Sequence, residues 1–181
     1  MKLVKGIKMP DFTYLSPYAE GSQSFETFAE GKKTYVVFLR YYGCTVCRLD
    51  LHIFAQRMAE FAAKDCKLMV VLQSDPNLVK DEAPLGTFPF EIACDPAQEV
   101  YKKFDIKPAK SMLALIGGGL FKALKKMKAA KGFGFEHGEY EGNEQQLPAL
   151  VLVDENGIII HSHYAKNLAD MPSVDEMLAK I

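Results

Sequence analysis

Tyr35-Val36-Val37-Phe38-Leu39-Arg40-Tyr41-Tyr42-Gly43-Cys44-Thr45-Val46-Cys47-Arg48 decides how this chain reads. Residues 34–40 are rich in β-branched and aromatic types, as in a strand buried on both faces. The run breaks at Gly43. From Thr45 to about Lys64, Val46, Leu49, Ile53, Phe54, Arg57, Met58, Phe61 and Ala62 recur at helical spacing, with the Arg57 stem at the stripe's edge. Lys67-Leu68-Met69-Val70-Val71-Leu72 is a second buried strand. Strand, helix and strand in that order predict a right-handed βαβ unit with a parallel pair. Its first junction carries two cysteines three residues apart.

That spacing has chemical content. Residues three apart on a helical turn have Cβ atoms roughly 5–6 Å apart. A modest adjustment brings them to the ~3.5–4.5 Å of a disulfide. The first cysteine meets unpaired backbone N–H groups at the helix start, which favour a thiolate. Arg48 adds a positive charge nearby. The residues therefore assign Cys44 as an exposed nucleophile and Cys47 as a buried resolving thiol. Attack by Cys44 on a disulfide gives a mixed disulfide that Cys47 displaces. The competing readings are half a zinc site or two inert core cysteines. A zinc site needs two more ligands at metal spacing, and Cys66 and Cys94 are isolated. His161 and His163 share one sheet face and read as surface histidines. His52, on the helix after the pair, reads as solvent-facing. No metal and no prosthetic group is expected.

Outward from the junction, Phe12 to Leu15 is a short strand candidate, and Ser22 to Phe28 is either a strand or a helical turn. Asp75-Pro76 starts a helix, Pro84 to Pro89 is loop, and Glu91 to Cys94 is a short strand. Asp95 is expected to cap a helix from Pro96 to Phe104, with Gln98 completing the cap. Between Lys107 and Lys131 there are seven lysines and no acid. Gly117-Gly118-Gly119 interrupts an apolar set of Leu113, Leu115, Ile116, Leu120, Phe121, Leu124 and Met127. Residues 107–146 read as an insertion with one or two helices. The simplest account of its second helix has Leu120, Phe121, Leu124 and Met127 packed inward and the lysines in solvent. An anionic membrane, a nucleic acid or a protein partner are the other readings. Pro148 to Val153 and Ile158 to His163 form a hairpin across Asp154-Glu155-Asn156-Gly157. Ser173-Val174-Asp175-Glu176 is a capping box for a last helix.

The whole chain has 181 residues, 49% hydrophobic, with a net charge of −1. One domain over 1–181 is expected, with a core that needs no disulfide staples. The charge balance gives no footprint for nucleic acid. The N-terminal stretch lacks an apolar signal region, and no apolar run approaches the ~20 residues of a membrane span. A cytoplasmic protein is expected, with neither a membrane nor a nucleic acid as partner. In that setting a close cysteine pair is metal-binding or catalytic.

The order βαβ, connecting helix, ββ, terminal helix resembles the thioredoxin fold: an α/β fold with a central mixed sheet flanked by helices, here with a helical insertion before the C-terminal hairpin. More narrowly, the sequence resembles the alkyl hydroperoxide reductase/thiol-specific antioxidant family, the peroxiredoxins, in their Cys-x-x-Cys subgroup. Gly6-Ile7-Lys8-Met9-Pro10-Asp11-Phe12, Gly31 to Phe38, Phe88-Pro89-Phe90 through Cys94-Asp95-Pro96, and Asp154 to Gly157 match its segments. Leu147-Pro148-Ala149-Leu150 is similar to the stretch carrying a cis-proline opposite the active cysteine, which makes Pro148 a supporting residue. Asp50 matches the acidic residue three beyond the family's peroxide-attacking cysteine, if Cys47 takes that place. Arg40 and Cys44 then stand where the family has Pro and Thr, and its later activating arginine has no counterpart. Tyr41 and Tyr42 either line an approach for substrate or pack under the insertion. The resemblance implies a thiol-dependent oxidoreductase. Its substrate is a peroxide or a protein disulfide, and its reductant a thioredoxin-like or small-molecule thiol system; a homodimer is allowed. Cys44 and Cys47 remain rival candidates for the first attack. The reading from another class is a non-catalytic binding module that uses the insertion as its contact surface.

Overall fold

The computed structural model describes residues 1–117 and 120–181, except for the side chain of Leu120. The Gly118-Gly119 break and the packing expected of Leu120 lie outside the described residues. In chain order the elements are β1 (Thr13–Leu15), β2 (Ser22–Ser24), α1 (Phe25–Ala29), β3 (Lys33–Phe38), α2 (Thr45–Ala62), β4 (Cys66–Leu72), α3 (Pro76–Glu82), β5 (Glu91–Cys94), α4 (Glu99–Lys103), α5 (Met112–Ile116), α6 (Leu120–Gly132), β6 (Ala149–Val153), β7 (Ile159–Tyr164) and α7 (Val174–Leu178). The strands form one sheet in the order β2-β1-β5-β4-β3-β6-β7. β3 runs parallel to β4, and β4 to β5, while β6 pairs antiparallel with β3 and with β7.

Alternation along β3 divides the core in two. Tyr35, Val37 and Leu39 face Val46, Leu51, Phe54 and Phe61 of α2 and Val174 and Met177 of α7. Val36 and Phe38 face the other way, toward Phe12, Phe25, Tyr101 and Phe104. A strand with cover on both faces is apolar along its length, and Tyr35 to Leu39 are all buried and apolar.

Local chemistry sets most boundaries where the residues place them. Asp75 caps α3 by accepting the Asn77 N–H at 2.8 Å. The capping box of Ser173 and Glu176 opens α7. Asp154 accepts N–H groups from Asn156 and Ile158 across the β6–β7 turn, where Gly157 takes φ 77°. Two expectations change. Ser22 to Ala29 is both a strand and a helix. The fourth helix begins at Glu99, after Gln98 at φ 58°. Asp95 still holds its start by accepting the Glu99 and Val100 N–H groups at 2.9 and 2.8 Å.

The largest departure is α6. Ala123 and Ala130 are buried and Lys126 half-buried, so this stripe packs on α2. Phe121 is 88% exposed, and Leu124 and Met127 also stand in solvent. The expected facing is reversed because Lys126 reaches the carboxylate of Asp50 on α2 at 2.8 Å. Small alanines on either side of it let the helices approach.

Candidate active site

The parallel strands deliver their C-terminal ends to one edge of the sheet, where open α/β folds place their chemistry. Beyond β3 the chain stays extended for two more residues. The Leu39 N–H donates to Val71 O at 3.0 Å, and the Gln73 N–H donates to Arg40 O at 2.8 Å. A turn follows, closed by the Cys44 N–H on Tyr41 O at 3.2 Å. Cys44 is the N-cap residue of α2 (φ −72°, ψ 117°), and its carbonyl accepts the first helical N–H, from Arg48, at 2.9 Å. Its sulfur therefore lies among unpaired N–H groups at the helix start.

Both thiols of the pair are free and buried, each 2% exposed. The exposed nucleophile expected at Cys44 is thus a covered one. The two sulfurs still differ sharply. The Cys44 thiol is lowered to about 6, first by a hydrogen bond from the Cys47 thiol, then by the charge of Arg40 and the N–H groups of Cys47 and Val46. Burial opposes these but does not win. The Cys47 thiol is raised well above the ordinary range by burial, then by its bond to Cys44 and the charge there. These causes favour the thiolate at the N-cap and the protonated form a turn further in.

Arg40 is the residue the motif reading left without a role. It is 7% exposed, and its Nη1 donates to Cys44 Sγ at 3.5 Å. The guanidinium lies 5.1 Å from the centre of the Tyr41 ring, and its buried Nε has no partner. Among the described residues no carboxylate forms an ion pair with it. A buried cation without an anion is strongly disfavoured. A thiolate at Cys44 would supply that anion, 3.5 Å from Nη1. The signal was present in the sequence: a single charge inside the apolar run Tyr35 to Tyr42, four residues before the first cysteine.

Arg48, expected to acidify the pair, is turned elsewhere. Its Nε donates to Tyr42 O at 3.2 Å, its guanidinium lies 4.7 Å from the Tyr42 ring centre, and Nη2 pairs with Glu82. Tyr42 packs on Phe88, and its N–H donates to Ser74 Oγ at 2.8 Å. These two residues brace the turn. Asp50 does not join the site. Both its oxygens accept from Lys126, and burial raises its carboxyl group despite that pair. Pro148 is trans, since no cis peptide bond occurs among the described residues. Its carbonyl accepts the Ala165 N–H at 3.0 Å, so it is used within the sheet and is not free to align a substrate strand. His52 is not solvent-facing; it packs against Phe133 and Phe135. Burial raises Cys66, to about 11, and Cys94 as well. Both act as small core residues.

A strap from the 107–146 segment closes on the turn that leads into the pair. The Gly138 N–H donates to Gly43 O at 2.9 Å, and Tyr41 Oη and His137 Nε2 are 3.0 Å apart. Glu141 accepts from Ser74 Oγ and the Asp75 N–H at 2.7 and 2.9 Å. The Asn143 N–H donates to Gln73 Oε1 at 2.8 Å. A Cβ on Gly43 would run into the Glu139 carbonyl, so glycine is required for this approach. Tyr41 packs under the strap, the second of the two readings open for it.

The arrangement defines a class: a dithiol at the start of the helix that follows the first parallel strand of a mixed sheet. The AhpC/TSA family model matches residues 6–162, and the chain belongs to that family. Peroxiredoxin-like 2C of Takifugu rubripes is 22% identical, with 87% of this chain and 74% of that protein covered. The reduced 2-Cys peroxiredoxin of Plasmodium vivax superimposes with a TM-score of 0.65 at 19% identity, covering 96% of this chain and 78% of the other. A structure described as a thiol:disulfide interchange protein DsbE, from Chlorobium tepidum, gives 0.58 at 21% identity and covers 99% of both chains. Likeness at these identities shows the shared fold. Family membership makes the chain an oxidoreductase with thiol-based redox function. Among the described residues no helix is long and apolar enough to cross a membrane, and no cluster of three or more His, Cys, Asp or Glu is placed to hold a metal.

Proposed function

We propose that the protein is a thiol-dependent peroxidase in which Cys44 strikes first and Cys47 resolves. The observation that supports this most is the buried guanidinium of Arg40 on the sulfur of Cys44. The Cys44 thiolate attacks one oxygen of a hydroperoxide, and the O–O bond breaks. Cys44 becomes a sulfenic acid, and the alkoxide leaves as an alcohol after taking a proton. The Cys47 thiol then displaces the sulfenic oxygen as water, and the pair closes as a disulfide. An external thiol system, either thioredoxin-like or a small molecule, supplies two electrons and two protons to reopen it. A first cysteine that is 2% exposed, behind a turn held by the strap, favours a small peroxide over a folded protein disulfide. Such a cycle belongs in a compartment with a thiol reductant, and the cytoplasm is the setting we infer. We read residues 1–181 as one domain that carries 107–146 as its insertion. A binding module with a vestigial pair is not favoured, because a vestigial site has no reason to bury an arginine against its cysteine.

The test is peroxide consumption with a dithiol reductant in the parent and in Cys44→Ser and Cys47→Ser. Loss of turnover in Cys44→Ser is expected. Cys47→Ser should give one equivalent of oxidation at Cys44 and no resolution by an internal thiol. Turnover that survives Cys44→Ser but not Cys47→Ser would make Cys47 the first nucleophile. A parent inert to peroxide that reduces a protein disulfide would overturn the substrate assignment.

A further inference from the structure

The 107–131 stretch carries seven positive charges and no negative one, against a whole-chain charge of −1, so the rest of the chain sums to −8. The positive charge is therefore local. Its helix α6 is amphipathic in the reverse sense. At 100° per residue, Ala123, Lys126 and Ala130 share the face that packs on α2, and Phe121, Leu124, Lys125 and Lys128 centre on the opposite face. Phe121 is 88% exposed and Leu124 53%. Before this helix, α5 buries Leu115 and leaves Leu113 82% exposed, with Met112 also in solvent. Large apolar side chains on one face of a soluble protein mark a surface that something covers.

Charge and composition select the occupant. A second copy docking the same face would set lysines against lysines. Protein interfaces favour arginine and deplete lysine, and here every cation is lysine. Aromatic and aliphatic side chains interleaved with lysines, without acids, suit a helix lying in the plane of an anionic bilayer. The lysine stems lie along the apolar surface while their ammonium groups reach lipid phosphates. From this we infer that the exposed face of α5 and α6, with Leu113, Phe121, Leu124, Lys125 and Lys128, docks the protein on anionic membrane surfaces. This reverses the sequence expectation of no membrane partner, because the structure turns outward the very residues that were expected inside.

The test is co-sedimentation of the full-length chain with vesicles of phosphatidylcholine alone or with about 30% phosphatidylserine, in salt of about 0.15 M. Binding to the anionic vesicles only is expected, weakening as salt is raised. Lys125→Ala with Lys128→Ala should lower partition by roughly 25-fold, about fivefold for each lysine near the surface. Phe121→Ser with Leu124→Ser should lower it by at least about tenfold. Circular dichroism and peroxide turnover should match the parent in both variants, so a failure of the redox reading leaves this test intact. No binding to anionic vesicles, or binding that both pairs of substitutions leave unchanged, overturns the proposal. A concentration-dependent dimer abolished by Phe121→Ser with Leu124→Ser also overturns it, because a second copy would then be the occupant.

Discussion

At the end of β3 a guanidinium is buried, while on α6 a phenyl ring stands in solvent. Arg40 is 7% exposed and Phe121 88%, opposite violations of the usual sorting of residues. They differ in whether the chain supplies a partner. Arg40 has one, the sulfur of Cys44, which accepts from its guanidinium inside the core. Phe121 is 88% exposed and is covered by none of the described residues. A violation compensated internally points to chemistry inside the protein, and an uncompensated one points to a surface outside it.

Three substitutions test that contrast, with Phe54→Ala as a core yardstick, and of the three the largest effect is expected at Arg40. Arg40→Met keeps the stem and removes the charge. Charge-assisted hydrogen bonds contribute about 1.5–3 kcal/mol, and one pH unit corresponds to about 1.4 kcal/mol. The midpoint for alkylation of Cys44 should therefore rise by about one to two units from its lowered value of about 6. The sign follows from the thiolate being the nucleophile: the parent reacts fully at neutral pH, and the variant only as pH rises further. Iodoacetamide rates against pH, followed at Cys44 by mass spectrometry, measure this. Superimposable profiles would mean that the helix start and Cys47 hold the thiolate without Arg40.

Gly43→Ala addresses the strap that hides this chemistry. The new methyl meets the Glu139 carbonyl, so the backbone contact between Gly43 and Gly138 must open. Overpacking of this kind costs about 1–3 kcal/mol, a fall in Tm of roughly 2–12 °C for a chain of this size. A bulky maleimide should label Cys44 faster in the variant. Slower or unchanged labelling would show that the strap is not what limits access.

The smallest effect is expected on the other side of the comparison. Phe121→Ser should change stability by no more than about 0.5 kcal/mol in a urea titration. Phe54→Ala, on the core face of α2, should cost about 3–5 kcal/mol. A large loss in Phe121→Ser would mean that the ring is packed and that the outward face is not real.

Much of the fold was legible because it rests on local signals. The apolar run before Gly43, the helical stripe after Cys47, the Asn-Gly hairpin and the Ser173 capping box each act over a few residues. The cysteine pair was legible for the same reason. Asp50 and Arg48 were misplaced because family position and sequence proximity say nothing about which way a side chain turns. Asp50 faces Lys126, and Arg48 faces Tyr42 and Glu82. The proline at 148 matched a pattern, but its carbonyl is committed to the sheet.

The sequence by itself determined the βαβ unit, the dithiol at its junction and the charge of the 107–131 stretch. Spacing and composition are properties of neighbouring residues, and backbone geometry carries them directly into structure. Only the tertiary structure decided which arginine meets the sulfur of Cys44, how deeply both cysteines are buried, and what closes on the turn before them. It also decided that α6 packs through its alanines. These outcomes depend on desolvation and on contacts between residues far apart in the chain. Arg40 acquires its role by being buried, and the strap acquires its role by closing on Gly43 from nearly a hundred residues further along.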